Sequence, residues 1–268
     1  MSTEAGALGA PSSAVVSLVL PAWNEEDGLR VAIGEALDAL GALVDRGEAG
    51  GFEIIVIDDG STDETAAVAE EIADEHAPVR VIRHAVNRGV GAGLRTGLDA
   101  ATGTHVVSTD SDMPVDLAAI GPALRRIDQE GADVVAGRRI ERRDDGTLRW
   151  LATGGYDLLV RLAFGVRVDD VNFAFKVARL DLLRSLDLRS EGPFIDAELI
   201  ILAVLGGRRV EVVPMVYRPR RFGESSTLSV RTLGRLVREL VANVGRLRRL
   251  RWLRSSQRGA GGVVQRNG

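Results

Sequence analysis

"FEIIVIDDGSTDETAAVAEEIADEH", residues 52–76, is the stretch on which the fold turns. Its first half is a short apolar, β-branched run that predicts a buried strand. Its second half carries apolar residues at helical spacing, with Ser61 or Thr62 placed as a helix N-cap before acidic first-turn residues. Between them lies "DDGSTD". Asp-Gly is favourable turn chemistry and Asp63 can cap the helix, so one aspartate turns the chain while the other is left to accept from a ligand N–H.

The same strand–turn–helix unit recurs on both sides. "AVVSLVLP" precedes "EEDGLRVAIGEALDALGALV"; "VRVIRH" precedes the glycine-bearing "GVGAGLRTGLDAA"; "THVVSTD" precedes "DLAAIGPALRRIDQEG"; "ADVVAGR" closes the series. Strands alternating with helices at this spacing imply parallel pairing with helices on both faces. Beyond Arg138 the pattern loosens into a charged loop, a helical stretch, the extended "VNFAFKVAR", the helical "FIDAELIILAVLG" and a late strand broken by Pro214 and Pro219, which places it toward an edge.

Length and composition bound the rest. The 268 residues suffice for one large α/β domain, and 45% apolar with 27% charged residues is ordinary for a globular protein. There is no cysteine, which removes disulfides, thiolate metal sites and cysteine nucleophiles. No window approaches the roughly 18–20 apolar residues of a membrane span, and "MSTEAGALGAPSS" lacks the basic and apolar regions of a signal peptide, so a cytoplasmic protein is expected. The net charge of −4 is uneven: from Arg231 onward ten arginines face Glu239 alone, giving +9 and leaving −13 for the preceding chain. From Leu228, apolar residues at 233, 236, 237, 240, 244, 247, 250 and 253 trace one face of a long helix with arginines on much of the other. Such a helix either lies in a lipid interface or packs on the domain with its cationic face in solvent. The acidic body argues against nucleic acid. The expected organisation is a disordered 1–13, one α/β domain over 14–226, a basic amphipathic helix over 227–254 and a disordered tail over 255–268.

In open α/β sheets ligands gather outside the carboxyl ends of the strands. Three of those ends are polar together: "PAWNEE", "DDGSTD" and "TDSD". Asp110 and Asp112 sit two apart in a segment predicted to be extended, so both carboxylates can face one hard cation. Mg²⁺ takes one or two protein carboxylates and completes its shell with water and substrate phosphates. Trp23 can stack on a base, or pack into the core. "NRGVGAGLRTG" is not a dinucleotide fingerprint, because it follows the third strand and reads G-x-G-x-G; a close backbone approach and a helix N-terminal anion site remain as its two uses.

In their order along the chain, "VSLVLPAWNEE", "IIVIDDGSTDET", "NRGVGAGLRTGLDAATG", "STDSD", "DDVNFAFK" and "FIDAELIILAVLGGRRVEVVPMVYRPRRFGESS" resemble the family-2 glycosyltransferases, nearest to the branch that makes polyprenyl- or dolichyl-phosphate sugars. The resemblance covers about residues 14–226. It implies the GT-A fold, an α/β Rossmann-like three-layer sandwich with a mostly parallel central sheet. It implies an inverting hexosyl transfer from a nucleotide-diphospho-sugar of the GDP-mannose or UDP-glucose type. The implied acceptor is polyprenyl phosphate or, alternatively, a hydroxyl of a glycan or small molecule. By the same resemblance Pro21, Trp23 and Glu25 contact the nucleotide and Asp59 reads the base. Asp110 and Asp112 hold Mg²⁺ or Mn²⁺ against the donor diphosphate, Arg138 follows the fifth strand, and Lys176 retains a basic position. Arg220, Gly223 and Ser225 match a phosphate-binding pattern. Asp196, with Glu198 beside it, falls where hydroxyl-accepting relatives keep a catalytic base; its plain alternative is a helix cap.

Three departures bear on metal affinity and acceptor identity. Pro114 replaces a glutamine, Ser226 a lysine and Ala174 a glycine. They also motivate a third reading, a nucleotide-sugar-binding protein without turnover. A sugar-1-phosphate nucleotidyltransferase shares the architecture, but its glycine-rich signature is missing after the first strand. The basic helix adds an expected peripheral membrane contact.

Overall fold

A computed structural model describes residues 13–140, 147–168, 170–218 and 230–260. Four predicted strands, β1 (Val15–Ala22), β2 (Gly51–Asp58), β3 (Val79–Arg83) and β4 (His105–Thr109), pair in parallel. They alternate with α1 (Leu29–Asp45), α2 (Thr65–Glu75) and α3 (Val90–Ala100). After a 3₁₀ turn at Leu117–Ala119 come α4 (Ile120–Asp128), β5 (Val134–Arg139), α5 (Thr147–Phe164), β6 (Phe175–Arg179), α6 (Leu180–Ser185), α7 (Ile195–Leu205), β7 (Val210–Met215) and α8 (Val230–Ala260). The seven strands lie in the order β3-β2-β1-β4-β6-β5-β7, a mostly parallel GT-A-like sheet. β6 runs antiparallel to both its neighbours, β4 and β5. β7, with Pro214 inside it, is an edge strand on β5, where a residue without an N–H is tolerated.

Two cores sandwich the sheet. One packs Leu29, Ile33, Leu40 and Leu43 of α1 with Leu124 and Ile127 of α4 against Leu18, Leu20, Val56 and Phe175. The other packs Leu94 and Leu98 of α3, Val160 and Phe164 of α5, and Ile200 and Ile201 of α7 against Val19, Ile55 and Ala178. Each strand contributes to both because alternate side chains leave opposite faces.

The chain leaves β1 outward to β2 and β3, then returns to lay β4 on the other side of β1. That reversal opens a crevice beyond the carboxyl ends of β1 and β4, which is where such sheets bind ligands. The glycines of α3 serve close approach. A Cβ on Gly97 would come within 2.2 Å of a Val19 methyl, so α3 lies directly on β1. Gly91 packs against the backbone of Ser190–Gly192, and the N–H groups of Gly91 and Ala92 both donate to Glu191 O, at 2.8 and 3.3 Å. This settles the two uses of "GVGAG": Glu191 O takes up these first donors of α3, which are thereby withheld from a ligand anion.

Three local expectations are corrected. Ser61 and Thr62 do not cap α2; the helix begins at Thr65, whose N–H donates to Asp63 Oδ1 at 3.0 Å, while Ser61 Oγ accepts from Asn24 N–H. β4 stops at Thr109, so Asp110 and Asp112 lie in a turn closed by Met113 N–H donating to Asp110 O at 3.1 Å. Met113, buried, takes a positive φ of 47° to make that turn, an uncommon conformation for a long side chain. And α8 continues to Ala260, six residues past the expected end of the helix.

Candidate active site

The loops after β1 and β2 are laced together. Asn24, at φ 53°, accepts from Thr62 N–H at 2.9 Å; Glu25 N–H donates to Thr65 Oγ1 at 2.7 Å; Glu64 N–H donates to Glu26 at 2.8 Å. This lacing holds Trp23 outward, 50% exposed, so its core-packing alternative falls. The two aspartates of "DDG" divide their work. Asp58, fully buried, accepts from Ser61 N–H at 3.0 Å and pairs with Arg83 at 3.1 Å, turning the chain. Asp59 accepts from Gly89 N–H at 2.6 Å and Arg88 N–H at 3.0 Å, and shares a 2.6 Å hydrogen bond with His84 Nδ1. His84 reaches Thr96 through its other nitrogen at 2.9 Å. Asp59 is therefore the hub that fixes the entry to α3, a duty that local pattern does not disclose because its partners lie 25 to 30 residues away, in the segment between β3 and α3.

Pro21, Ser108, Thr109, Asp110, Ala174 and Asp196 line an open cleft between β1, β4, β6 and the start of α7, closed on one side by Val90 and Leu94 of α3. Charge is crowded here. Burial, then Asp112, Asp196 and Glu25, push the Asp110 carboxyl up to about 8, and Lys176 opposes them. Lys176 is buried on β6 and donates to Asp196 Oδ1 at 2.6 Å and to Phe173 O at 2.7 Å. Asp196 lies in the first turn of α7 but does not cap it; the cap position is Phe194 and makes no side-chain bond.

Predicted residues thus separate into groups. Glu25, Asp110, Asp112, Lys176 and Asp196 share one electrostatic neighbourhood, with Pro21 on the cleft wall. Trp23 and Asp59 stand at the adjoining ends of β1 and β2. Arg138 is exposed on β5. Arg220, Gly223, Ser225 and Ser226 lie outside the described residues. Glu198, quoted beside Asp196, is wholly buried and accepts from the N–H groups of Arg189 and Ser190 and from Arg246 of α8; its role is to anchor that helix. Pro114 is buried and its carbonyl accepts from Arg218 N–H at 2.8 Å.

Arg139 went unread. Its guanidinium lies 4.4 Å from the Tyr217 ring centre and 5.6 Å from that of Phe173, and its backbone N–H donates to Asp170 Oδ2 at 3.1 Å. Neighbouring arginines on a strand leave opposite faces, so only tertiary packing distinguishes Arg139 from Arg138.

Among the described residues no three His, Asp or Glu side chains form a ready metal cage. The crowded carboxylates of Asp110 and Asp112 nevertheless suit a hard cation that brings water and substrate phosphate oxygens as its remaining ligands, since its charge would offset the burial and the repulsion that raise the Asp110 carboxyl.

The architecture and the cleft at the β1/β4 reversal define the GT-A class. Residues 17–186 match the family model of glycosyl transferase family 2, and the chain belongs to that family. It is 27% identical over 244 residues to an undecaprenyl-phosphate mannosyltransferase of Micrococcus luteus, covering 86% of this chain and 93% of that one. It is 26% identical over 212 residues to a dodecaprenyl-phosphate galacturonate synthase of Rhizobium johnstonii, covering 78% of this chain and 61% of that one, so it spans about three fifths of the latter's length. Among solved structures, glucosyl-3-phosphoglycerate synthase of Mycobacterium tuberculosis in complex with phosphoglyceric acid superposes with a TM-score of 0.66 at 26% identity, covering 88% and 82% of the two chains. The same enzyme with Mn²⁺ and UDP-glucose gives 0.65 at 25% identity over 89% and 80%.

Proposed function

We propose that the chain transfers a hexose, with inversion, from a nucleotide-diphospho-sugar to a polyprenyl phosphate at the cytoplasmic surface of a membrane. The observation that carries the acceptor is the ion pair between Lys176 and Asp196. A hydroxyl acceptor must lose its proton as it attacks, and a positioned carboxylate supplies that help, worth about 10²–10⁴-fold. In this cleft one oxygen of Asp196 is already engaged by an ammonium. A lipid phosphate needs no base, and Lys176 can then orient Asp196 and offset the acceptor's charge. The mannosyltransferase relative, matched over nearly its whole length, supports the same acceptor class.

Donor binding falls to the β1 and β2 ends. Trp23 offers an exposed face for stacking, Pro21 shapes the floor, and Asp59 and Glu25 supply acceptors. Asp110 and Asp112 would hold Mg²⁺ or Mn²⁺, which when bound would neutralise charge on the departing diphosphate. Arg138 adds a cation at the β5 end, and Arg220 and Ser225 are assigned to phosphate by their motif. The acceptor oxygen attacks the anomeric carbon, and the bond to the nucleoside diphosphate breaks on the opposite side.

A second reading, transfer to a hydroxyl, is favoured by the likeness to glucosyl-3-phosphoglycerate synthase. Purified chain given GDP-mannose or UDP-glucose and Mn²⁺, with either polyprenyl phosphate or 3-phosphoglycerate, separates the two. Product only in the lipid arm is expected. Product only in the phosphoglycerate arm overturns the first reading. Binding of a nucleotide-sugar without product in either arm supports a protein that has lost turnover.

A further inference from the structure

The apolar face of the long basic helix has two expected uses, a lipid interface or packing on the domain. Among its described side chains the second use prevails: Leu240 and Leu247 are buried, and Leu236 and Val244 pack beside them in the second core. Arg246 is tied to Glu198 and to Asp187, and Glu239 accepts from Phe194 N–H, which fastens α8 to the loop before α7.

α5 carries two apolar stripes. Tyr156, Val160 and Phe164 face the core. Leu158, Leu159 and Leu162 face outward, 52%, 44% and 68% exposed, on the i, i+1, i+4 spacing of a single helix flank. α8 packs alongside, and Arg248 donates to Ala163 O at 3.0 Å at the end of α5. Val241, 64% exposed, lies two turns before Arg248 on the same flank of α8 and extends the apolar surface toward it. Arg161 on α5 and Arg238, Arg248 and Arg249 on α8 are exposed on the same two helices. The only acids among the residues of these two helices, Asp157 and Glu239, are half-buried and turned inward to Asp170 N–H and Phe194 N–H.

We propose that the outer flank of α5, continued by Val241 of α8, is a docking surface for an anionic lipid bilayer. Leucines enter the headgroup boundary while arginines of the two helices meet lipid phosphates. A second copy of this chain is a poorer occupant, because a two-fold contact would set this patch against itself and arginine against arginine. The location also fits the acceptor. α5 follows the carboxyl end of β5, and Asp157 holds the Asp170 backbone in the segment that leads to Ala174 on the cleft wall. This deepens the lipid-acceptor reading, but its test needs no acceptor.

The full chain is floated with vesicles of phosphatidylglycerol and, separately, of phosphatidylcholine, while light scattering records its mass in solution. Binding to phosphatidylglycerol that falls with salt is expected. Leu158→Ser with Leu162→Ser should weaken it at least about tenfold. Arg161→Gln and Arg249→Gln should each weaken it about fivefold. Equal binding by the leucine variant, or none by the wild type, overturns the surface. A dimer that the leucine variant converts to a monomer assigns the patch to a second copy instead. Transfer to detergent-dispersed polyprenyl phosphate by the wild type is measured in parallel: a wild type that transfers but does not float sinks only the docking surface, and one that floats but does not transfer sinks only the acceptor reading.

Discussion

Two carboxylates at opposite ends of the same sheet have opposite surroundings. At the amino ends of the strands, Glu53 accepts from Ser17 Oγ at 2.6 Å, Thr102 N–H at 2.6 Å and Arg80. Burial alone would raise its carboxyl, but those bonds outweigh burial and hold it down at about 2. At the carboxyl ends, burial and three neighbouring carboxylates push Asp110 up to about 8. One site is complete within the chain and stabilises the fold. The other carries an imbalance that only something from outside corrects. Strongly perturbed groups in a cleft mark functional sites for this reason.

The comparison is broken most severely at Asp112. Asp112→Ala should reduce sugar transfer about 10³-fold, the scale of losing one preorganised electrostatic group, with melting temperature nearly unchanged; a folded variant with wild-type turnover would remove the cleft from the chemistry. Glu53→Gln should do the reverse, costing about 1–3 kcal/mol of stability in chemical denaturation with little effect on turnover per folded molecule. Because the Glu53 carboxyl is lowered on folding, its stabilisation is present above its unfolded value near 4.5 and is lost as pH falls through about 2. The deficit of the glutamine variant should shrink over that window.

Trp23→Ala should raise the donor KM about tenfold, the worth of one stacked base, and leave the melting temperature alone, since the ring is exposed. The smallest effect is expected from Asp110→Asn without metal. The native Asp110 keeps its proton to about pH 8, whereas the unfolded chain releases it near 3.8. The folded state therefore binds the extra proton between those values, and stability falls as pH rises through the interval. Asparagine removes that slope, so the variant should melt roughly 2–4 °C above wild type at pH 9 and no higher at pH 5. Saturating Mn²⁺ should stabilise the wild type increasingly up to about pH 8, because cation and proton compete for one carboxylate.

Much of this molecule is local in origin. Strand and helix periods, the polar strand ends at "PAWNEE", "DDGSTD" and "TDSD", the parallel pairing they imply and the edge position of the Pro214 strand are all readable from neighbouring residues, because alternation and 3.6-residue spacing are properties of short segments. What the local pattern left open depends on segments far apart in the chain. Asp59 is held by His84 and by the backbone of Arg88 and Gly89, Asp196 by a lysine twenty residues earlier, and Glu198 by Arg246. Asp110 and Asp112 meet through a turn at Met113 rather than through strand alternation. The apolar periodicity of α8 left lipid and domain packing both open; Leu236, Leu240, Val244 and Leu247 join the second core, and α5 is left with the exposed leucines. Hydrophobicity specifies that a surface must be covered; which partner covers it is decided only when the whole chain is packed.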